Sequence, residues 1–419
     1  MPDIGVIGLV PDAWGGPWMP REHVLTRLAK YFHVVWLDPA RGWREHWIDN
    51  HSVRERAGKN TGDPADLPPG FTIYRPGKFL PLVYRPRWLG KYLAGARIRR
   101  AEAILRAQGC RRIVLYLWRP EFDYALDAVR HDLSCYHIDD EYSFADVEVP
   151  QDPAEAALIR RSGQVIIHSS ALMEKKGHLN THSTLIPNGV AYNIFANSVA
   201  EPADLRDVPR PRIGYAGMIK KQLNLGLLHE LAKRHREWSF VMVGPLGMVK
   251  GETQTIEAMS RLPNVYFLGG KHWNELPGYM QHMDVCTLCY KINDYTKYIY
   301  PLKLHEYLAA GRPVVAAPIR SLLEFGGDIK LAKTVDEWSE ALRESLEESE
   351  ATPERVAARR HIAKSYDWDD LVEKIAALLC DRLGENEISR FADLFGADLQ
   401  KIGSVEDFTA GAPPRPSQA

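Results

Sequence analysis

Apolar residues along this chain gather in short runs separated by stretches of helical spacing. The runs predict strands over 4–10, 33–37, 112–117, 133–138, 164–168 and 184–187. A polar segment with three prolines, 197–211, interrupts the alternation and reads as a linker. The pattern then restarts, with strands expected near 212–216, 239–243, 265–268, 284–289, 313–316 and 329–332, a helix at 274–282 and amphipathic helical sequence over 353–383. Strand and helix in alternation predict an α/β chain with parallel sheets. Two such series predict two Rossmann-like domains facing each other across a cleft. The expected boundaries are 1–196, the linker, and 212–365, followed by C-terminal helices over 366–402 that return to the first domain and a tail over 403–419.

Composition narrows the class without changing that picture. A chain of 419 residues exceeds what one core usually serves. A formal charge of −1 with 26% charged residues gives no global basic bias and argues against a nucleic-acid partner. No apolar run approaches the length of a membrane span, and the first strand begins without a basic leader. A cytoplasmic protein, placed at the inner face of the cell membrane, is expected. Five scattered cysteines fit reduced thiols, and Cys286-Thr-Leu-Cys289 lies in an apolar run that reads as a buried strand.

In open α/β sheets ligands bind in the loops that follow strands. The first such loop, Asp12-Ala-Trp-Gly15-Gly16-Pro-Trp18-Met-Pro-Arg21-Glu-His23, has a Gly-Gly turn that lets backbone approach a ligand, so Gly15, Gly16, Trp18, Arg21 and His23 are candidate acceptor or cleft residues. It carries no dinucleotide fingerprint. His137-Ile-Asp139-Asp140-Glu141-Tyr142 follows a strand and supplies a candidate base, Asp139 or Asp140. In the second half Gly217, Met218, Lys220 and Lys221 form a strand exit with two cations suited to diphosphate, and Gly244 follows the next strand. Residues 71–101 differ in kind. Lys78, Arg85, Arg87, Lys91 and Arg97 are interleaved there with Phe79, Tyr84, Trp88 and Tyr92, with no acidic residue, which suits peripheral contact with anionic headgroups through 78–100.

The most informative stretch is Pro301-Leu302-Lys303-Leu-His-Glu306-Tyr-Leu-Ala-Ala-Gly311 with Pro313-Val-Val after it. Proline suits the first helical position, whose free N–H groups favour phosphate. Lys303 and Glu306 share a helix face, the Lys for charge and the Glu for ribose hydroxyls. Tyr298 and Tyr300 lead into this turn and join the candidate donor-binding set.

Taken in order, Trp14-Gly-Gly-Pro-Trp18 with Arg21 and His23, Ile186-Pro-Asn-Gly-Val190 with Phe195, the Gly217 turn, Val243-Gly244 and the 301–315 motif resemble the GT-B glycosyltransferases. The likeness is to family 4-like enzymes that build bacterial cell-surface polysaccharides, teichuronic acid glycosyltransferases among them. The resemblance implies a nucleotide-sugar donor in the C-terminal half, with Glu306 on the ribose and the 300–303 turn near the diphosphate, and an acceptor in the N-terminal half. Three positions depart from the family pattern. Tyr298 stands eight before Glu306, where many retaining members carry a second glutamate. Met218 and Asn224 stand where an Arg and a Lys usually follow the glycine turn, so that Lys220 or Lys221 would substitute. A Lys at a helix start with an acidic residue after an N-domain strand is also similar to the xanthan-type glucuronosyltransferase, an inverting enzyme with an aspartate base.

The function expected is therefore transfer of a sugar from a nucleoside diphosphate, UDP in the first instance, to a glycan or lipid-linked acceptor, with no cofactor and no metal. The sole Asp-x-Asp, at Asp367 and Asp369, reads as helix capping. A nucleotide-sugar epimerase of the same fold and a non-catalytic partner with a decayed donor site are the alternatives.

Overall fold

The computed structural model describes residues 1–16, 18–42, 67–142, 152–247, 249, 251–347 and 352–396. Pro17, residues 397–402 and the tail expected over 403–419 lie outside the described residues. The chain divides into two compact units, one comprising Met1–Ile186 with Asp369–Ala419, the other Pro187–Trp368.

Among the described residues the first unit is built on a seven-stranded sheet in the order β3-β2-β1-β4-β5-β6-β7. Its strands are β1 (Ile4–Leu9), β2 (His33–Leu37), β3 (Phe71–Tyr74), β4 (Arg112–Leu117), β5 (Leu133–Ile138), β6 (Gln164–Ile167) and β7 (Ser183–Leu185). Every pairing is parallel, for example Val6 with Val34 on one side and Val114 on the other. β1, β4, β5 and β6 have essentially no exposed residue, as expected for strands covered by helices on both faces. The edge strand β3 escapes the hydrophobic pattern because only Phe71 of its four residues is buried.

The second unit has a six-stranded parallel sheet, β10-β9-β8-β11-β12-β13, formed by β8 (Arg212–Ala216), β9 (Ser239–Val243), β10 (Val265–Gly269), β11 (Val285–Leu288), β12 (Val314–Ala316) and β13 (Lys330–Leu331). In both sheets the order reverses beside the first strand, at β1 and at β8. The loops leaving those strands and their neighbours β4 and β11 therefore flank a topological switch point, where such sheets bind ligands.

Two segments differ from the sequence reading. Residues 197–211, expected as a linker, belong to the second unit, where the short helix Ala203–Arg206 and the turn after it bury Leu205 and Val208. The helical stretch expected over 353–383 is broken into Pro353–Lys364 and Trp368–Leu383. At the break Val190 donates to the Tyr366 carbonyl at 2.9 Å and accepts from the Trp368 N–H at 3.0 Å, so that strand-like pairing replaces a helical turn. From Asp369 onward the chain packs on the first unit: Arg27 pairs with Asp369 at 2.6 Å, Arg390 grips Asp3 with both guanidinium nitrogens, and Phe391 lies 5.4 Å from the Tyr31 ring.

The helix Pro20–Leu28 starts immediately after the first loop, and its Glu22 carboxylate accepts from the Met19 N–H at 2.9 Å. Burial raises the Glu22 pKa to about 7, against the attraction of Arg21. The folded chain thus holds this proton more tightly than the unfolded chain does, and the group's contribution to stability declines as pH rises from about 4.5 to about 7. Glu22→Gln should accordingly raise the melting midpoint at pH 8, by about 1 to 3 kcal/mol of unfolding free energy, with the gain vanishing near pH 4. Thermal melts across that range check the sign and the window.

Candidate functional site

The second unit brings one cluster together at the carboxyl end of β8. Gly217 has φ +142° and Gly244, after β9, has φ +147°, backbone that side-chain-bearing residues rarely adopt. A Cβ on Gly244 would overlap the Gly217 carbonyl oxygen, and a Cβ on Gly217 would overlap Cε of Lys303. The two exits are tied by hydrogen bonds from Gly217 N to Val243 O (2.7 Å) and from Ile219 N to Pro245 O (2.9 Å). Lys303 lies against this glycine corner with its ammonium 5.7 Å from the centre of the Tyr215 ring.

Lys303 belongs to the helix Leu302–Ala309, for which Pro301 is the cap with extended backbone rather than the first helical residue. Leu304, His305, Tyr307 and Leu308 face the core, and the Tyr307 hydroxyl accepts from the Ala216 N–H at 2.9 Å, fixing the helix to the end of β8. Lys303 and Glu306 occupy the remaining face, one turn apart, each part-buried. Among the described residues neither side-chain charge has a hydrogen-bond or ion-pair partner. Burial lowers the Lys303 pKa, with Glu306 opposing that shift and Lys220 adding to it; burial raises that of Glu306, with Lys303 opposing. Both charges are thus held at a cost their mutual attraction does not fully offset, as at sites poised for a charged ligand. Lys220 is part-buried beside them, whereas Lys221 and Met218 are exposed.

The two tyrosines of the expected donor set are held inside the unit. Tyr298 is buried, and Tyr300 is buried with its hydroxyl 2.9 Å from His305 Nε2 and its carbonyl accepting from Asn188 at 3.0 Å. Their rings are core, and they shape the approach to Pro301 through the backbone. Leu302 is part-buried in the first turn.

The first unit gathers its candidates at the carboxyl ends of β1, β4, β5 and β6. Arg21 is buried and donates to Asp139 Oδ2 at 3.3 Å and to Asp12. The Tyr142 hydroxyl donates to Asp139 Oδ1, so both oxygens of that carboxylate are engaged. Burial raises the Asp139 pKa, opposed by Tyr142, Arg21 and His168. Asp140 accepts from the Glu141 N–H at 2.8 Å. Trp18 stacks edge-on with the buried His23, whose pKa burial lowers, and Trp14 donates its backbone N–H to Asp38 at 2.8 Å. Gly15 has φ +98°, which the turn requires, while a Cβ on Gly16 would meet nothing closer than the Ala13 carbonyl at 3.8 Å.

Behind the carboxylates stands a buried network that the chain's spacing does not disclose. Lys176 pairs with Glu155 at 2.8 Å and with Glu141 at 3.0 Å, and Tyr136 donates to Glu155 at 3.0 Å. His168 and Arg119, also unforeseen, face the same carboxylates. These residues lie on or follow three different strands, β4, β5 and β6, so only the sheet order unites them.

Among the described residues no three His, Cys, Asp or Glu side chains are grouped to hold a metal, and no helix is long and apolar enough to cross a membrane. Asp367 pairs with Lys364 at 2.6 Å and Asp369 with Arg27.

Several known proteins are similar to this chain. Residues 210–348 match the model of the family described as "Glycosyl transferases group 1". The chain is 30% identical over 241 residues to the "Putative teichuronic acid biosynthesis glycosyltransferase TuaH" of Bacillus subtilis (strain 168), a match spanning 53% of this chain and 58% of that protein. A glycosyltransferase from Rickettsia africae ESF-5 superposes with a TM-score of 0.61 at 13% identity, covering 95% of this chain and all of that one. The E. coli trehalose-6-phosphate structure bound with UDP-2-fluoro glucose superposes at 0.59 and 11% identity, covering 91% and 99%. This chain accordingly has the GT-B fold, and its residues 210–348 are similar to the glycosyl transferases of group 1.

Proposed function

We propose that the protein is a glycosyltransferase of surface polysaccharide assembly that takes its sugar from a nucleoside diphosphate, UDP in the first instance, without a metal, and delivers it to a glycan or lipid-linked acceptor. The observation that carries this reading is the Lys303/Glu306 pair: two part-buried charges on one face of the helix that starts at Leu302, beside the Gly217 corner, with no hydrogen-bond or ion-pair partner among the described residues. In the reaction the acceptor oxygen bonds to the anomeric carbon as the bond from that carbon to the phosphate oxygen breaks. The electron pair leaves with the diphosphate, and the acceptor proton passes to a carboxylate. Lys303, Lys220 and the first-turn N–H groups meet the growing diphosphate charge where a metal would otherwise stand. Glu306 accepts from ribose hydroxyls.

Of the two acidic candidates, Asp139 is held by Arg21 and Tyr142 and serves to orient the loop; we assign the base to Asp140. An epimerase would act on the free nucleotide sugar, and a decayed partner protein would turn over no donor. Release of nucleoside diphosphate that depends on added membrane lipid extract separates both from a transferase.

Lys303→Met and Glu306→Gln should each weaken UDP binding about tenfold or more by calorimetry, and unchanged affinity overturns the donor site. Asp140→Asn should lower kcat about 100-fold or more while UDP affinity stays constant. Retained kcat in that variant overturns the base assignment and leaves the donor site standing.

A further inference from the structure

The Lys303/Glu306 site leaves unexplained a surface on the first unit. Phe79, Tyr84, Trp88 and Tyr92 are 83%, 78%, 70% and 63% exposed, large aromatic rings concentrated within fourteen residues. Isolated exposed aromatics need no explanation, but a group of four does. Cations sit among them: Lys78, Arg85, Arg87 and Lys91 are all exposed, and the sequence has no acidic residue from Leu67 to Ala101.

The surface is built, not loose. Trp88, Lys91 and Tyr92 lie on the outward face at the start of the helix Arg87–Ala107, while Ala94, Ile98, Ala101 and Leu105 of the same helix are buried. Arg97, also buried, donates to the carbonyls of Leu80 (3.3 Å) and Pro81 (2.9 Å), pinning the preceding loop to the helix. Gly90 allows the Val83 carbonyl to approach so closely that a Cβ would overlap it.

Its place in the sheet is also defined. The segment leaves β3 at the carboxyl end, Leu82 donates to Arg41 at 2.8 Å, and Arg75 donates to Asp38, which holds Trp14. The surface therefore adjoins the strand-exit side that carries Arg21, Asp139 and Asp140.

We propose that residues 78–92 seat the first unit on an anionic lipid bilayer. The four rings enter the headgroup region, and Lys78, Arg85, Arg87 and Lys91 meet lipid phosphates. Aromatic rings prefer that amphipathic layer, and juxtaposed cations are drawn to a negative leaflet. A protein partner would more commonly meet an interface core depleted of charge, whereas here cations alternate with the rings. The proposal stands apart from the donor site and needs no bound nucleotide.

The test uses the full chain and vesicles of phosphatidylcholine with or without phosphatidylglycerol, read by co-sedimentation. Binding to the mixed vesicles should exceed binding to phosphatidylcholine alone by about tenfold and weaken with salt. Trp88→Ser with Tyr92→Ser, and separately Arg85→Gln with Arg87→Gln and Lys91→Gln, should each lower it about tenfold, with unchanged melting and UDP affinity. Failure to bind the mixed vesicles, or binding by both variants as tight as that of the unaltered chain, overturns the proposal. So does a dimer in solution that the aromatic variant dissociates without any vesicle binding, or a preference for a single-stranded oligonucleotide over the mixed vesicles at equal salt.

Discussion

Lys303 can lie along the end of β8 only because residue 217 has no side chain, and that corner can close only because residue 244 has none either. Both positions combine a φ in the region natural to glycine with a neighbour standing where a Cβ would be. The consequence is a cation set against backbone instead of extended into water, near the amino end of a helix whose first N–H groups lack intrahelical acceptors. Tyr307 then locks that helix to Ala216, so the charge and the strand exit move as one body. Preorganisation of this kind lets a charged group stabilise a leaving group without reorganising during the reaction.

The first unit uses a different device. Its carboxylates lie on one strand exit, β5, yet their environment comes from four. Arg21 arrives from β1, Arg119 from β4 and His168 from β6, while Lys176 and Glu155 bury an ion network behind Glu141. A buried pair of this sort contributes little net stability but penalises any arrangement that leaves one charge alone. It therefore specifies where residues 139–142 must sit. Asp139, held by Arg21 and Tyr142, becomes part of that scaffold.

Much of this was legible before the structure. The parallel sheets follow from apolar runs, because strands covered on both faces are apolar along most of their length, as β1, β4, β5 and β8 are. The Pro301–Gly311 segment was readable because its chemistry is local: cap, cation, carboxylate and helix exit lie within eleven residues. What escaped was either weakly patterned or assembled at long range. β3 buries one residue of four, and the helix break at Tyr366 is imposed by Val190, far away in sequence. Leu205 and Val208 fill core from a segment whose prolines suggest a linker. Tyr298 and Tyr300 stand where ligand contacts were expected, but aromatic rings flanking a binding turn are as readily claimed by the core, and here His305 takes the Tyr300 hydroxyl.

The central claim is that the amino end of the helix Leu302–Ala309, with Lys303 and Glu306, is the seat of a nucleoside diphosphate. A crystal structure of the full chain with UDP tests it most directly. The account predicts the diphosphate within hydrogen-bond distance of the Lys303 ammonium and the first-turn N–H groups, with the ribose hydroxyls on Glu306. UDP bound elsewhere, leaving Lys303 and Glu306 without contact, would contradict it.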